Sequence, residues 1–421
     1  MANILDELQW RGLVAQTTDE GLLRQSLAEG GLTFYCGFDP TAPSLHIGNL
    51  VQLLVMRHLQ RAGHRPICLV GGSTGLIGDP KASAERALNS KETVAQWVHK
   101  IQQQVRPFLA WEGSTPALAV NNLDWTAPLS AIDFLRDVGK HFRVNVMVKK
   151  DAVAARLGSS EGISFTEFSY QLLQGLDYLE LYRRHGCTLQ TGGNDQWGNL
   201  TAGVDLIHRA EQQSVHVLTT PLITKADGTK FGKTEAGTVW LDPDMTSPYA
   251  FYQFWLNAED ATVISHLKVF TDRNPQEIQA LERELRERPF ARAAQRALAE
   301  DVTTLVHGEA ATRSVQAASA ALFGQGELTG LDESTLKDAT AELHTVRATR
   351  EGLAVVDLLV AAGLAPSRAA ARRTVSEGGA YVNNVKVEDP EARLSEGELL
   401  HGRWAVLRRG RKTLAAVELF R

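Results

Sequence analysis

Between Leu32 and Gln60 the chain changes character twice. An apolar, β-branched and aromatic run, Leu32-Thr33-Phe34-Tyr35-Cys36, leads into Gly37-Phe38-Asp39-Pro40-Thr41-Ala42-Pro43-Ser44-Leu45-His46-Ile47-Gly48-Asn49, and then into a stretch of helical composition from Leu50 to Gln60. That order dictates a short buried strand, a tight turn and a helix. Gly37 and the two prolines supply turn geometry, Asp39 and Thr41 offer polar contacts, and His46-Ile47-Gly48 opens the helix. A helix starting there aims free backbone N–H groups and its positive dipole end out of the turn, and Gly48 lets a ligand approach the backbone closely. Two readings stay open on these residues: an anion cradle, or a loop merely rich in turn formers.

Apolar strands alternate with helical stretches up to about residue 220, which implies a doubly wound α/β sheet. Pro66-Ile67-Cys68-Leu69-Val70 is a continuous apolar run ended by Gly71-Gly72, as expected for a parallel strand covered on both faces. Such sheets bind ligands at the carboxyl ends of strands, where Tyr35–Asn49 and Gly71–Asp79 both fall. The glycines from Gly71 to Gly78 match neither phosphate-binding fingerprint and serve either a ligand or tight packing. Lys81 to Arg86 follows as a short basic loop. The stretch from Phe165 to Tyr178 reads as a helix whose Tyr170, Gln174 and Asp177, at i, i+4 and i+7, share one face. Gln190 to Asn199 is another glycine-containing strand end. Lys230-Phe231-Gly232-Lys233-Thr234 nearly spells a P-loop, but Asp227 stands where glycine is required and no helix pattern follows. What remains is a cationic glycine loop suited to a polyanion, or a solvated charged turn.

A length of 421 residues calls for two or three domains. The first thirty residues lack an apolar signal core, no apolar run reaches membrane-spanning length, and Cys36, Cys68 and Cys187 suggest neither a disulfide framework nor a zinc site. A soluble cytoplasmic protein is expected. The net charge of −5 argues against non-specific coating of nucleic acid. From Glu351 onward, however, the segment carries +2 while the residues before it carry −7. Its Arg368, Arg372 and Arg373 lie along one helical stretch and Lys386 lies beyond a turn, the footprint of either a phosphate backbone contact or a solvated surface.

Taken in order, these motifs resemble the bacterial tyrosyl-tRNA synthetases over nearly the whole chain. His46-Ile47-Gly48-Asn49 is similar to the HIGH signature of class I aminoacyl-tRNA synthetases, and Lys230-Phe231-Gly232-Lys233-Thr234 to their KMSKS-type loop. The resemblance implies a Rossmann-like catalytic domain over 1–220 with a dimer-interface insertion at about 115–165, and a KMSKS-type connection over 221–245. An α-helical domain over 246–325, a linker over 326–350 and a small α+β S4-like RNA-binding domain over 351–421 follow. It implies ATP with Mg2+, no structural metal, tRNA(Tyr) and tyrosine as partners, a homodimer with Phe134 to Val148 at its interface, and no membrane.

The same resemblance carries roles to individual residues. Thr41, His46, Lys230 and Lys233 would stabilise the departing phosphates, aided by Lys81 and Arg86. Tyr35 and Asp177 would face the substrate hydroxyl, Asp79, Tyr170 and Gln174 the α-ammonium, and Gln196 the carboxylate. Cys36, Gly37, Asp39, His46, Gly48, Asn49, Gly193, Asp195 and Lys233 would contact ATP, and Arg368, Arg372, Arg373 and Lys386 the RNA. A carboxylate is already a nucleophile, so catalysis by positioning and charge stabilisation is expected in place of an acid–base pair. Asn49 departs from the signature, which usually ends in histidine; an amide carries no charge, so an imidazolium role is excluded there. The rivals are a tryptophan ligase, a small-molecule adenylyltransferase and a non-enzymatic RNA-binding protein. Tyr35 with Asp177 and the S4-like end oppose the first two, and the lysine pair opposes the third.

Overall fold

The computed structural model describes residues 3–81, 87–224, 228–229, 231–234, 237–324, 326–349, 353–410 and 413–420, without the side chains of Asp151, Lys233 and Thr234. Arg86 and Lys230 therefore lie outside the described residues, as does the side chain of Lys233. The chain forms two units, one of residues 1–245 and 259–294, the other of residues 246–258 and 295–421. The helical stretch expected as one domain over 246–325 is thus shared between them.

In the first unit, strands β1 (Gln16–Thr17), β2 (Thr33–Phe38), β3 (Arg65–Val70), β4 (Leu118–Asn121), β5 (Cys187–Gly193) and β6 (His216–Thr220) make one sheet in the order β1-β6-β5-β2-β3-β4. All neighbours are parallel except β1, which joins β6 antiparallel at the edge. The chain leaves β2 towards β3 and β4, then returns to build β5 and β6 on the other side. That reversal opens a crevice at the carboxyl ends of β2 and β5, the place where doubly wound sheets bind ligands. Phe34, Ile67, Val70, Leu189, Val217 and Leu218 are fully buried in these strands, as parallel strands covered on both faces require.

Helix α1 (Ile47–Arg61) follows β2, the single turn α2 (Thr74–Ile77) follows β3, and α3 (Lys91–Gln104) precedes β4. Helix α4 (Phe165–His185) is capped by the Ser164 hydroxyl and stopped by Gly186 at φ 61. It runs well past Tyr178 because Leu179 and Leu181 continue its buried stripe into the core of this unit. Helix α5 (Trp197–Glu211) follows β5.

The glycines after β3 serve close packing. A Cβ on Gly71 would sit 2.1 Å from Thr74 Oγ1 and 2.2 Å from Asp39 Oδ1, and one on Gly72 would sit 2.3 Å from Asn121 Oδ1. Two-residue strands β7 (Lys233–Thr234) and β8 (Gly237–Thr238) pair antiparallel. The segment after β8 docks on the start of α1, since the Ile47 N–H donates to Val239 O at 3.3 Å and the Leu241 N–H to Leu45 O at 2.9 Å.

In the second unit, β9 (Thr345–Ala348), β10 (Ala380–Val382), β11 (Val385–Lys386), β12 (Trp404–Arg409) and β13 (Thr413–Leu419) form a sheet in the order β11-β10-β12-β13-β9. Helices α6 (Val355–Ala361) and α7 (Arg368–Ser376) share its apolar cluster, which includes Val356, Leu359, Ala371, Val375 and Leu407. Residues 326–350, expected as a linker with some helix, hold the helix Glu333–Ala341 and, unforeseen, the strand β9. The strand is short, and Ala348 is its one buried residue. Its place is set by parallel pairing with β13 and not by a pattern of its own.

Candidate active site

The crevice between β2 and β5 widens into a cavity of ≈ 540 Å³ lined by every residue proposed above for tyrosine or ATP except Lys233, whose side chain lies outside what is described. Its floor is built around Asp177. Turn by turn, α4 presents Tyr170, Gln174 and Asp177 towards the carboxyl ends of the strands. The Asp177 carboxylate accepts from Trp125 Nε1 at 2.9 Å and from Asn122 Nδ2 at 3.0 Å. Burial nonetheless lifts its pKa to about 8, the two donors opposing that rise. Beside it Tyr35, at the middle of β2, packs its ring 5.2 Å from that of Tyr178. Tyr35 Oη and Gln174 Oε1 are buried and find no hydrogen-bond partner among the described residues. Buried polar groups demand partners, so this end of the cavity matches a ligand carrying its own donors and acceptors.

Asp39, past the end of β2, joins the two ends of the cavity. It accepts from Tyr170 Oη and from Thr74 Oγ1, both at 2.6 Å. Asp79 is held by two amides, Gln196 Nε2 at Oδ2 and Asn199 Nδ2 at Oδ1, each at 3.0 Å. Gln196, assigned by resemblance to the substrate carboxylate, thus gives one of its two amide N–H donors to Asp79.

At the other end lies the start of α1. His46 is its N-cap: Nδ1 accepts from the Gly48 N–H at 3.0 Å, and the His46 N–H donates to Asn49 Oδ1 at 3.1 Å. Asn49 therefore works as an acceptor that closes a capping box. Gly232 comes onto the same turn, with φ 83, and a Cβ there would lie 3.3 Å from Ile47 Cβ. The backbone so brings the glycine loop of the second motif against the first, and the Trp240 ring lies tilted 6.1 Å from that of His46. Cys36 is buried, its thiol pushed up to about 12 by desolvation, so it contributes contact and not nucleophilicity. Lys81 is exposed at the rim, and its carbonyl accepts from Arg156 Nη1 at 3.3 Å. Arg156 is itself buried against Glu167 at 3.0 Å.

A second cavity of ≈ 470 Å³ shares Asp79 and Asp195 with the first and is lined by Lys150 and Asn199, among others. Lys150 donates to Asn199 Oδ1. Sequence reading missed Lys150, Asn122 and Trp125. Only the position of Asn199, inside the strand-end motif Gly193–Asn199, drew attention to any of this network.

In the second unit, Arg368 pairs with Asp357 at 2.7 Å and Arg372 with Glu391, while Arg373 and Lys386 are exposed. Arg408 lies 3.9 Å above the Tyr381 ring, a cation–aromatic platform that the α7 arginine pattern did not predict.

Comparison with known proteins yields consistent matches. Residues 27–324 match the family described as tRNA synthetases class I (W and Y), and residues 335–417 match the tyrosine–tRNA ligase SYY-like C-terminal domain. The tyrosine–tRNA ligase of Streptomyces avermitilis is 65% identical over 420 residues, covering 100% of this chain and 99% of its own. That of Streptomyces coelicolor is 64% identical with the same coverage. A C-terminally truncated mitochondrial tyrosyl-tRNA synthetase of Aspergillus nidulans superposes with TM-score 0.71 at 28% identity, over 77% of this chain and 95% of that one.

Proposed function

The chain belongs to the class I tyrosine–tRNA ligases, and from that premise we infer which of its groups carry the reaction. The enzyme activates L-tyrosine with ATP to tyrosyl-adenylate and pyrophosphate, then transfers tyrosine to the 3′-terminal ribose of tRNA(Tyr). Tyr35 and Asp177 hold the phenol, while Asp79, Tyr170 and Gln174 hold the α-ammonium. The buried, unpartnered Tyr35 Oη beside an Asp177 already gripped by Asn122 and Trp125 is the observation that carries this reading. Phenylalanine would leave those groups unpaired, which is the physical basis of its rejection.

ATP lies over the start of α1, with Cys36, Gly37, Asp39, Gly193 and Asp195 along the adenosine. The carboxylate oxygen of tyrosine attacks the α-phosphorus and the bond to pyrophosphate breaks. Thr41, His46, Lys230 and Lys233, helped by Lys81 and Arg86, stabilise the charge that gathers on the leaving phosphates. The N–H groups of this turn are taken up by His46 Nδ1, Val239 O and Asn49 Oδ1, so the start of α1 adds its positive dipole end and not free donors. Magnesium enters with the nucleotide, bound chiefly by phosphate oxygens; among the described residues no cluster of three His, Cys, Asp or Glu side chains could hold a metal.

Arg368, Arg372, Arg373 and Lys386 contact the tRNA backbone. The enzyme works in the cytoplasm as a homodimer; among the described residues no helix is long and apolar enough to cross a membrane. The exposed Leu135, Val144 and Val146, mixed with basic residues, support the dimer. ATP–pyrophosphate exchange run with tyrosine, phenylalanine and tryptophan tests the whole reading. Exchange dependent on tyrosine alone is expected, and exchange driven equally by tryptophan would overturn the Tyr35–Asp177 assignment.

A further inference from the structure

Lys150 is a half-buried cation that the proposed reaction does not use. Its methylene stem lies across Gly198, where a Cβ would come within 3.3 Å of Lys150 Cε, and its ammonium donates to Asn199 Oδ1. The other end of the same amide donates to Asp79 Oδ1 at 3.0 Å and to Gln196 Oε1 at 2.8 Å, and Gln196 Nε2 donates to Asp79 Oδ2 at 3.0 Å. A lysine can only donate and an ionised carboxylate can only accept. An amide placed between them has one workable orientation, and it passes that orientation on to Gln196.

We propose that Lys150 is a positioning residue for the amino-acid site: by holding Asn199 Oδ1 it keeps two amide donors on Asp79 and so aims that carboxylate at the substrate α-ammonium. The proposal rests on the reading of Asp79 as the ammonium partner. The lysine acts through Asn199 and touches no substrate. Burial lowers its pKa to about 7 while Asp79 opposes the fall, so the amide orientation is enforced most firmly below pH 7, where the Lys150 ammonium has no lone pair to accept with. Without Lys150, Asn199 is free to turn its oxygen towards Asp79, and the carboxylate loses a donor.

The test compares K150M, K150R and D79N in the full-length enzyme, using tyrosine, tyramine, which keeps the ammonium, and 3-(4-hydroxyphenyl)propionate, which lacks it. In K150M the KM for tyrosine in pyrophosphate exchange and the inhibition constant of tyramine should both rise about tenfold. The inhibition constant of the propionate, the KM for ATP and kcat should each stay within about twofold, and K150R should recover most of the loss. A K150M enzyme that binds tyrosine as well as or better than the parent overturns the proposal, as does parallel weakening of the propionate. An effect confined to the KM for tRNA does so too. D79N separates the two levels: if it fails to distinguish tyramine from the propionate, the ammonium reading itself is wrong. If it distinguishes them and K150M does not, only the role of Lys150 falls.

Discussion

At the scale of single residues, the last position of the HIGH-type signature is a structural cap. Asn49 accepts the His46 N–H, and histidine in its place could accept through a ring nitrogen, so N49H should keep pyrophosphate exchange within about tenfold, or about 1.4 kcal/mol. N49A, which leaves that N–H to solvent, should lower stability by about 1 kcal/mol in thermal melts. Loss of several orders of magnitude in N49H would refute the capping role. Two buried histidines should contribute to acid sensitivity. His58 and His266 are buried and desolvation lowers the pKa of each to about 4. A depressed histidine contributes stability that is complete above its unfolded value near 6.5 and lost as pH falls towards 4, up to about 3 kcal/mol per residue. His266 sits 4.3 Å from the Phe231 ring, so H266F should pack there and flatten the fall in melting temperature between pH 6.5 and 4. An unchanged fall would discount His266 as a cause.

At the scale of elements, the strand ends were legible and the cross-links between them were not. The apolar runs at Phe34 and Pro66 mark parallel strands, and the spacing of Tyr170, Gln174 and Asp177 marks one helix face, because both signals are local. Asp177 takes its donors from Asn122 and Trp125, more than fifty positions away, and no local pattern announces such a pairing. The same holds for Lys150 with Asn199. The glycines after β3 could be read two ways because φ and crowding leave no trace in composition; the atoms facing Gly71 and Gly72 decide for packing. The second glycine loop lies with Gly232 against Ile47, beside the residue that caps α1. K233A should therefore slow adenylate formation with tyrosine affinity nearly unchanged, in single-turnover kinetics against equilibrium binding. Equal losses in both would contradict a role confined to the transition state.

At the scale of the whole molecule, removing the RNA-binding section should spare pyrophosphate exchange and abolish tRNA charging, and undiminished charging would refute its role. The cut matters. Residues 345–348, read from sequence as linker, are β9, so a truncation at 352 leaves an unpaired edge strand that a truncation at 342 does not. The shorter version should be the more soluble, by light scattering at equal concentration. In the sheet order β11-β10-β12-β13-β9, the strand made last is an inner one, hydrogen-bonded on both sides. The first unit therefore has all its residues once Ala294 is made, whereas this sheet cannot close until β13 is made more than a hundred residues later. A chain clipped before Thr413 thus forfeits a strand from the middle of the sheet, hydrogen-bonded on both sides, and not a dispensable tail.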